Sequence, residues 1–133
     1  MRWRIALLAT AMVAVLAVAS GVAVAAAIDG TNGDDRIRGT NARDQLTGHR
    51  GDDVLIGLRS ADNLDGDGGR DTIYTGPKGE SAREVVDAGD GNDRVYAFNR
   101  PASKDVISCG PGIDRVTADS RDVLNGCNRV SRP

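Results

Sequence analysis

The chain has 133 residues, a formal net charge of −2 and only 3% aromatic residues. Its 17 glycines and scarcity of aromatic side chains are not typical of an ordinary close-packed core, and its length fits one small domain. The slight excess of acidic over basic residues argues against a nucleic acid as a partner.

The first 27 residues have the pattern of a secretory signal peptide. Arg2 and Arg4 precede an apolar stretch over residues 5–19, and small residues around positions 23–27 provide a cleavage site near Ala25 to Ala27. The alternative is an uncleaved membrane anchor, because the apolar run over residues 5–27 is long enough to span a bilayer. We expect cleavage, which leaves a secreted, extracellular chain without a membrane segment. The loss of two arginines changes its charge from −2 to −4.

From Gly30 onward the sequence repeats in units of nine residues, beginning with residues 30–38, 39–47 and 48–56. Each copy has one apolar residue between two mostly polar ones, and an acidic residue two positions before the apolar one. The apolar positions are Ile37, Leu46, Leu55, Leu64, Ile73, Val86, Val95, Ile107, Val116 and Leu124. The acidic positions are Asp35, Asp44, Asp53, Asp62, Asp71, Glu84, Asp93, Asp105, Asp114 and Asp122. Two insertions, near residues 76–83 and 100–104, interrupt the period, and they predict surface loops.

Each unit predicts a turn followed by a very short strand, because glycine recurs too often for a helix and the 3.6-residue period is absent. One apolar residue per unit cannot form a core alone. The units must therefore stack in parallel and share a continuous row of apolar side chains.

The copies at residues 30–38, 48–56, 66–74, 88–96 and 109–117 resemble the nonapeptide Gly-Gly-x-Gly-x-Asp-x-apolar-x of the RTX, or haemolysin-type, calcium-binding repeats. The resemblance extends from about Asp29 to Leu124. It implies an all-β fold, a parallel β-roll (β-solenoid) with two nonapeptides per turn, built from about ten degenerate repeats. The repeat domain would cover residues 28–126, followed by a C-terminal tail at residues 127–133.

The pattern of glycine at the fourth position of the unit supports a repeat of 18 residues, and this support is independent of the resemblance. The odd-numbered copies keep this glycine, whereas the even-numbered copies have Ala42, Ser60, an insertion or a truncated end. The odd-copy glycines are Gly33, Gly51, Gly69, Gly91 and Gly112. We therefore expect the two sides of the roll to differ, with tight turns on the odd side only.

The resemblance implies Ca²⁺ as the ligand, held between successive turns of one side by the sixth-position carboxylate and by turn carbonyls. A hard cation prefers six to eight oxygens, and glycine-rich turns can direct carbonyl oxygens inward. The sixth-position candidates on the odd side are Asp35, Asp53, Asp71, Asp93 and Asp114. Second-choice ligands within the same turns are Asp34, Asp52, Asp67, Asp90 and Asn92. The alternative is that the aspartates only cap turns by accepting backbone hydrogen bonds, and we consider it mainly for the even side.

The two cysteines, Cys109 and Cys127, are expected to form a disulfide. Secretion favours pairing, and their separation of 18 residues equals one full turn of the roll, which brings them close enough to bridge. The bond would tie down the C-terminal tail.

These observations favour a non-catalytic, calcium-binding module with an unknown extracellular protein or surface partner. Its thin core suggests that calcium binding is coupled to folding. The sequence offers no nucleophile–base pair, histidine cluster or phosphate loop, so it gives no basis for an enzyme. The main alternative is a calcium-independent solenoid of the cell surface or matrix.

Overall fold

The computed structural model describes residues 24–77, 82–99 and 101–133. Most of the expected signal segment lies outside these residues, as do parts of both insertions. No helix of the described residues is long and apolar enough to cross a membrane.

The described residues form twelve strands of three or four residues each, one after every turn. They are β1 (Ala27–Asp29), β2 (Arg36–Arg38), β3 (Gln45–Thr47), β4 (Val54–Ile56), β5 (Asn63–Asp65), β6 (Thr72–Tyr74), β7 (Val85–Asp87), β8 (Arg94–Ala97), β9 (Val106–Ser108), β10 (Arg115–Ala118), β11 (Val123–Asn125) and β12 (Arg129–Ser131).

Consecutive strands alternate between two parallel six-stranded sheets. The first sheet has the order β1-β3-β5-β7-β9-β11, and the second has the order β12-β10-β8-β6-β4-β2. Every paired strand is parallel, as in Leu55↔Ile73 and Leu64↔Val86, so the chain winds as a coil of about six turns. The expected all-β parallel β-roll is thus confirmed. Two strands that the ten copies do not include, β1 and β12, extend the coil at its ends.

The core is a single row of apolar side chains from each sheet, contributed by the middle residue of each strand. Leu55 and Ile73 are completely buried, and the burial pattern of a typical strand is exposed, buried, exposed. At the C-terminal end of the stack Leu124 is half-buried and Val130 is 42% exposed. Each interior side chain therefore depends on the strands above and below it for its burial.

Glycine is required at the fourth position of four odd turns, at Gly51, Gly69, Gly91 and Gly112, whereas Gly33 of the first odd turn has room for a side chain. The odd turns are those that lead into the second sheet. Gly69 has a φ of +139°, and a Cβ there would lie 1.8 Å from the carbonyl oxygen of Gly51 in the preceding turn. The left-handed region disfavours side chains, and the close backbone contact excludes one. At the second position, His49 and Asp67 replace the family glycine and still adopt φ values of 76° and 66°.

The disulfide between Cys109 and Cys127 is confirmed, with a Cα–Cα distance of 5.1 Å. It joins the turn that precedes β10 to the segment that precedes β12. Because these strands pair with each other, the bond holds the last turn of the coil in register.

The adjacent glycines 68 and 69 provide a matched test of this turn geometry. We expect Gly69→Ala to lower the free energy of unfolding by about 2–4 kcal/mol, because it introduces both a strained φ and a backbone clash. Gly68→Ala should have a much smaller effect, since the nearest atom to its Cβ would be 3.9 Å away. Urea unfolding of both variants measures the difference, and equal destabilisation would contradict the stacking described for this turn.

Candidate metal-binding site

The sixth-position aspartates of the odd turns form one buried row along the side of the coil. In four of them, all except Asp35, Oδ1 accepts a hydrogen bond from the backbone N–H of the equivalent residue one turn earlier. The N–H of Asp53 donates to Asp71 at 2.8 Å, and the N–H of Asp71 donates to Asp93 at 2.8 Å. The same bond links Asp35 to Asp53 at 2.7 Å and Asp93 to Asp114 at 3.0 Å. All five first-choice residues are therefore in one row, and the carboxylates of four of them are fixed by the backbone N–H of the preceding turn.

The even turns contain a row of the same construction. The N–H of Asp44 donates to Asp62 at 2.9 Å, and the N–H of Asp105 donates to Asp122 at 3.0 Å. On both sides, one carboxylate oxygen of these acids therefore caps a neighbouring turn, which is the alternative role considered above. The first oxygen does not distinguish the two sides.

The second carboxylate oxygen distinguishes four acids of the odd row from three of the even row, and Asp62 and Glu84 of the even row do not follow this pattern. Among the described residues, four odd-row Oδ2 atoms are buried without a hydrogen-bond partner, and they belong to Asp53, Asp71, Asp93 and Asp114. On the even side, the amide group of Asn99 donates to Asp105 Oδ2 at 3.1 Å, and the N–H of Asp119 donates to Asp122 Oδ2 at 2.8 Å. Thr40 donates to Asp44 Oδ2 through both its N–H and its hydroxyl. A buried carboxylate oxygen without a donor is unfavourable unless a proton or a cation satisfies it.

Burial makes the charged form of three odd-row carboxylates unfavourable. It raises the pKa of Asp53 to about 6, that of Asp71 to about 7 and that of Asp93 to about 6. The neighbouring carboxylates raise these pKa values further, whereas the backbone hydrogen bonds lower them. Charges in stacked strands ~4.8 Å apart repel by about 1 kcal/mol in water and by severalfold more when partly buried. A cation beside this row would remove the repulsion.

The turn carbonyls supply the neutral oxygens that such a cation needs. The carbonyl oxygen of Gly51 lies so close to Gly69 of the next turn that a Cβ there would be 1.8 Å away, and the carbonyl oxygens of Gly69 and Gly91 are similarly close to the glycines that follow them in the stack. In the described part of the chain, no three acidic, histidine or cysteine side chains cluster in a way that could hold a metal ion. An ion on the odd side would therefore be bound by row carboxylates together with backbone carbonyls. This donor set of hard oxygens fits Ca²⁺.

The two ends of the odd row differ from its middle. At the first turn, the Thr31 hydroxyl donates to Asp35 Oδ2 at 2.9 Å, so this carboxylate resembles Asp44 of the even side. At the last turn, the N–H of Asp114 donates to the side-chain oxygen of Asn128 at 2.9 Å. The sequence analysis did not include Asn128, although Val130 follows it at the usual spacing of two residues.

The second-choice residues lie on the exposed outer side of the same turns. Asp34 Oδ1 accepts a hydrogen bond from the N–H of Asp52, and Asn92 Oδ1 accepts one from the N–H of Ile113, both at 2.8 Å. Asp52 Oδ1 likewise accepts from the Arg70 N–H at 2.8 Å. Asp67 Oδ2 lies 3.9 Å from His49 Nδ1, and Asp90 is exposed. These five residues are thus separate from the buried row.

A comparison with protein-family models finds the RTX calcium-binding nonapeptide repeat at residues 29–59, 47–77 and 79–99, which together cover more than half of the chain. The chain belongs to the RTX calcium-binding nonapeptide repeat family. Comparison with curated proteins and with solved structures finds no match. The RTX roll geometry continues beyond the last matched residue, since β9 to β12 pair in the same parallel register.

Glu84 is an exception in the even row of this RTX roll. It takes the place of an aspartate and is completely buried, and neither carboxylate oxygen has a hydrogen-bond partner among the described residues. Its N–H donates to Asp105 Oδ1 at 3.2 Å. Burial raises the pKa of Glu84 well above its usual range, and the adjacent carboxyl of Asp105 raises it further. The folded protein therefore retains the Glu84 proton at a pH where the unfolded chain has released it.

Replacing Glu84 by glutamine tests this interpretation. The free energy of unfolding of the wild type should fall as the pH rises above about 4.5, because the unfolded state loses the Glu84 proton first. Glu84→Gln has no proton to lose, so its stability relative to the wild type should increase with pH, by up to about 1.4 kcal/mol per pH unit.

Urea unfolding at pH 5, 6.5 and 8 and at constant calcium concentration measures this difference. Asp29→Asn, on the exposed face of β1, is a matched control that should show no comparable pH dependence. A stability difference between Glu84→Gln and the wild type that does not change with pH would contradict a retained proton.

Proposed function

We propose that this chain is a secreted calcium-binding module without catalytic activity, in which Ca²⁺ binds between successive odd turns. The charged ligands would be Asp53, Asp71, Asp93 and Asp114, with turn carbonyls completing each site. The observation that carries the proposal is the row of buried Oδ2 atoms without hydrogen-bond partners. Membership of the RTX family supports calcium as the ion.

Calcium binding would be coupled to folding. The carboxylates are brought into a row only when the turns stack, so the unfolded chain has no preformed site, and binding stabilises the folded state. Without a cation the same row opposes folding, because like charges accumulate in a partly buried position. Affinities of about 10⁻⁴–10⁻³ M, as in extracellular calcium-binding modules, would be sufficient outside the cell.

Two observations support export. The pattern of residues 1–27 is that of a signal peptide, and the Cys109–Cys127 disulfide is of a kind that persists in oxidising compartments. A module that folds only after it meets millimolar calcium would remain unfolded until it is outside the cell. Its role there would be structural or adhesive, with calcium ions and an extracellular protein or surface as partners.

The second candidate is a calcium-independent structural solenoid. It is favoured by the backbone hydrogen bonds that already join successive odd turns, such as Gly68 N–H to His49 O at 2.8 Å and Gly51 N–H to Gly68 O at 3.0 Å. It is also favoured by the satisfied second oxygens of Asp44 and Asp105 on the even side. It does not explain why the Oδ2 atoms of the odd row are buried without hydrogen-bond partners.

Calorimetric calcium titration of two isosteric variants tests the proposal. Asp71→Asn keeps an oxygen for the Asp53 N–H but removes the charge, so we expect calcium affinity to fall at least tenfold. Asp44→Asn is the matched control on the even side, where Ala26 and Thr40 already occupy the carboxylate, and its affinity should remain within about twofold of the wild type.

The same titrations at pH 6.5, in buffers of different ionisation enthalpy, measure proton release. The raised pKa values of Asp53, Asp71 and Asp93 predict that calcium displaces protons at this pH and binds more weakly in mild acid. Equal effects of Asp71→Asn and Asp44→Asn would contradict the odd-side assignment.

A further inference from the structure

The two outer faces of the roll carry opposite charge. On the second sheet, the outward first residues of the strands include four arginines, and Val54 and Thr72 lie between the first of them and the other three. These arginines, called the basic row, are Arg36, Arg94, Arg115 and Arg129, and Arg38 lies on the same face. On the first sheet, the outward last residues include the acidic Asp29, Asp65 and Asp87. We call these surfaces the basic face and the acidic face.

Each face also has an exposed apolar row beside its charged row. On the basic face, Tyr74 and Tyr96 are 40% and 42% exposed, and their rings stack with centroids 4.8 Å apart. On the acidic face, Val85 and Val123 are 45% and 40% exposed, with Val106 between them. Stacked apolar and aromatic residues beside a charged row are typical of a surface that binds a partner.

Among the described residues, the charges on these faces are not neutralised by ion pairs. In the described part of the chain, the one ion pair within 4 Å is that of His49 with Asp67, and it does not involve the arginines of the basic face. Arg94, Arg115 and Arg129 are on consecutive strands of one sheet, so they stand directly opposite one another. Like charges in this arrangement are mutually destabilising. On the acidic face, partial desolvation and the charge of Asp87 raise the pKa of Asp65.

A second copy of the chain presents a surface of opposite charge to each of the two faces. Because the chain coils, consecutive strands run in opposite directions across the core. A copy displaced perpendicular to the sheets would therefore place its basic face against the acidic face of its neighbour. The arginines then lie on the same side of the contact as the aspartates, and the tyrosines lie on the same side as the valines. Both rows have the same repeat of ~4.8 Å, which is the spacing of adjacent strands. With the two coils level, Arg36 faces Asp29, Arg94 faces Asp87 and Tyr96 faces Val85. The other members of the rows face neutral polar residues, since Arg115 is opposite Ser108 and Arg129 is opposite Asn125.

We propose that copies of this protein associate side by side through the basic face of one molecule and the acidic face of the next. The contact joins two different surfaces and leaves one of each free, so it generates linear arrays rather than closed dimers. A six-stranded face of three-residue strands is roughly 24 Å by 10 Å, below the size of a standard stable interface. Association is therefore weak, salt-sensitive and evident only at high concentration or on a surface.

Sedimentation velocity in excess calcium, as a function of protein and salt concentration, tests the proposal. The wild type is expected to associate at protein concentrations between about 10⁻⁴ and 10⁻³ M and to dissociate when salt screens the charges. The basic-face variant Arg36→Glu/Arg94→Glu and the acidic-face variant Asp29→Arg/Asp87→Arg should each weaken association at least tenfold. Circular dichroism confirms that each variant is folded.

The deciding measurement is the mixture of the two variants. Each keeps one wild-type face, so the mixture should associate although neither variant does so alone. Arg43→Glu/Arg59→Glu changes the net charge of the molecule as much as the basic-face variant does, but in the even turns, and should associate like the wild type. A wild type that stays monomeric at about 10⁻³ M, a mixture that does not associate, or a monomer that binds polyglutamate through its basic face would overturn the proposal.

Discussion

One hydrogen bond, from a backbone N–H to an aspartate oxygen in the next turn, organises this RTX roll. It recurs along both sides of the coil at the sixth position of the repeat, as in Asp53 to Asp71 and Asp44 to Asp62. The bond fixes the register of each turn on the next one. It also places carboxylates in buried rows. The interaction that aligns the turns therefore brings like charges close together, and their repulsion must be offset by other groups.

The two sides of the coil differ in how the buried carboxylates are compensated. On the even side, neighbouring groups satisfy the second oxygen of three acids, and examples are Thr40 donating to Asp44 and Asn99 donating to Asp105. Asp62 and Glu84 do not follow this pattern, and burial raises the pKa of Glu84 so that it retains a proton. On the odd side the glycine-rich turns provide carbonyls instead of donors, and the second oxygens of Asp53, Asp71 and Asp93 are left bare. Under the proposed function, a calcium ion would supply the positive charge that these oxygens lack, and this would link the tight turns, the unpartnered oxygens and metal binding in one explanation.

The period of nine and its modulation at 18 predicted the coil, the core residues and the disulfide, because each depends only on spacing along the chain. The local details depend on contacts between turns. Asn128 and β12 were missed because the last unit is shortened, although Val130 keeps the usual spacing from Asn128. The Oδ2 of Asp35 differs from those of the other odd-row acids because the Thr31 hydroxyl donates to it, and Asp67 is exposed beside His49. Neither can be derived from residue type alone.

The central claim is that the odd row must be neutralised by calcium before the roll is stable. Far-UV circular dichroism of the purified protein in excess chelator, followed by titration to about 10 mM calcium, tests it most directly, because the expected affinities lie at about 10⁻⁴–10⁻³ M. We predict a largely disordered spectrum in chelator and a cooperative gain of β-sheet signal as calcium is added. The same β-sheet spectrum and the same thermal unfolding midpoint with chelator and with calcium would contradict the claim.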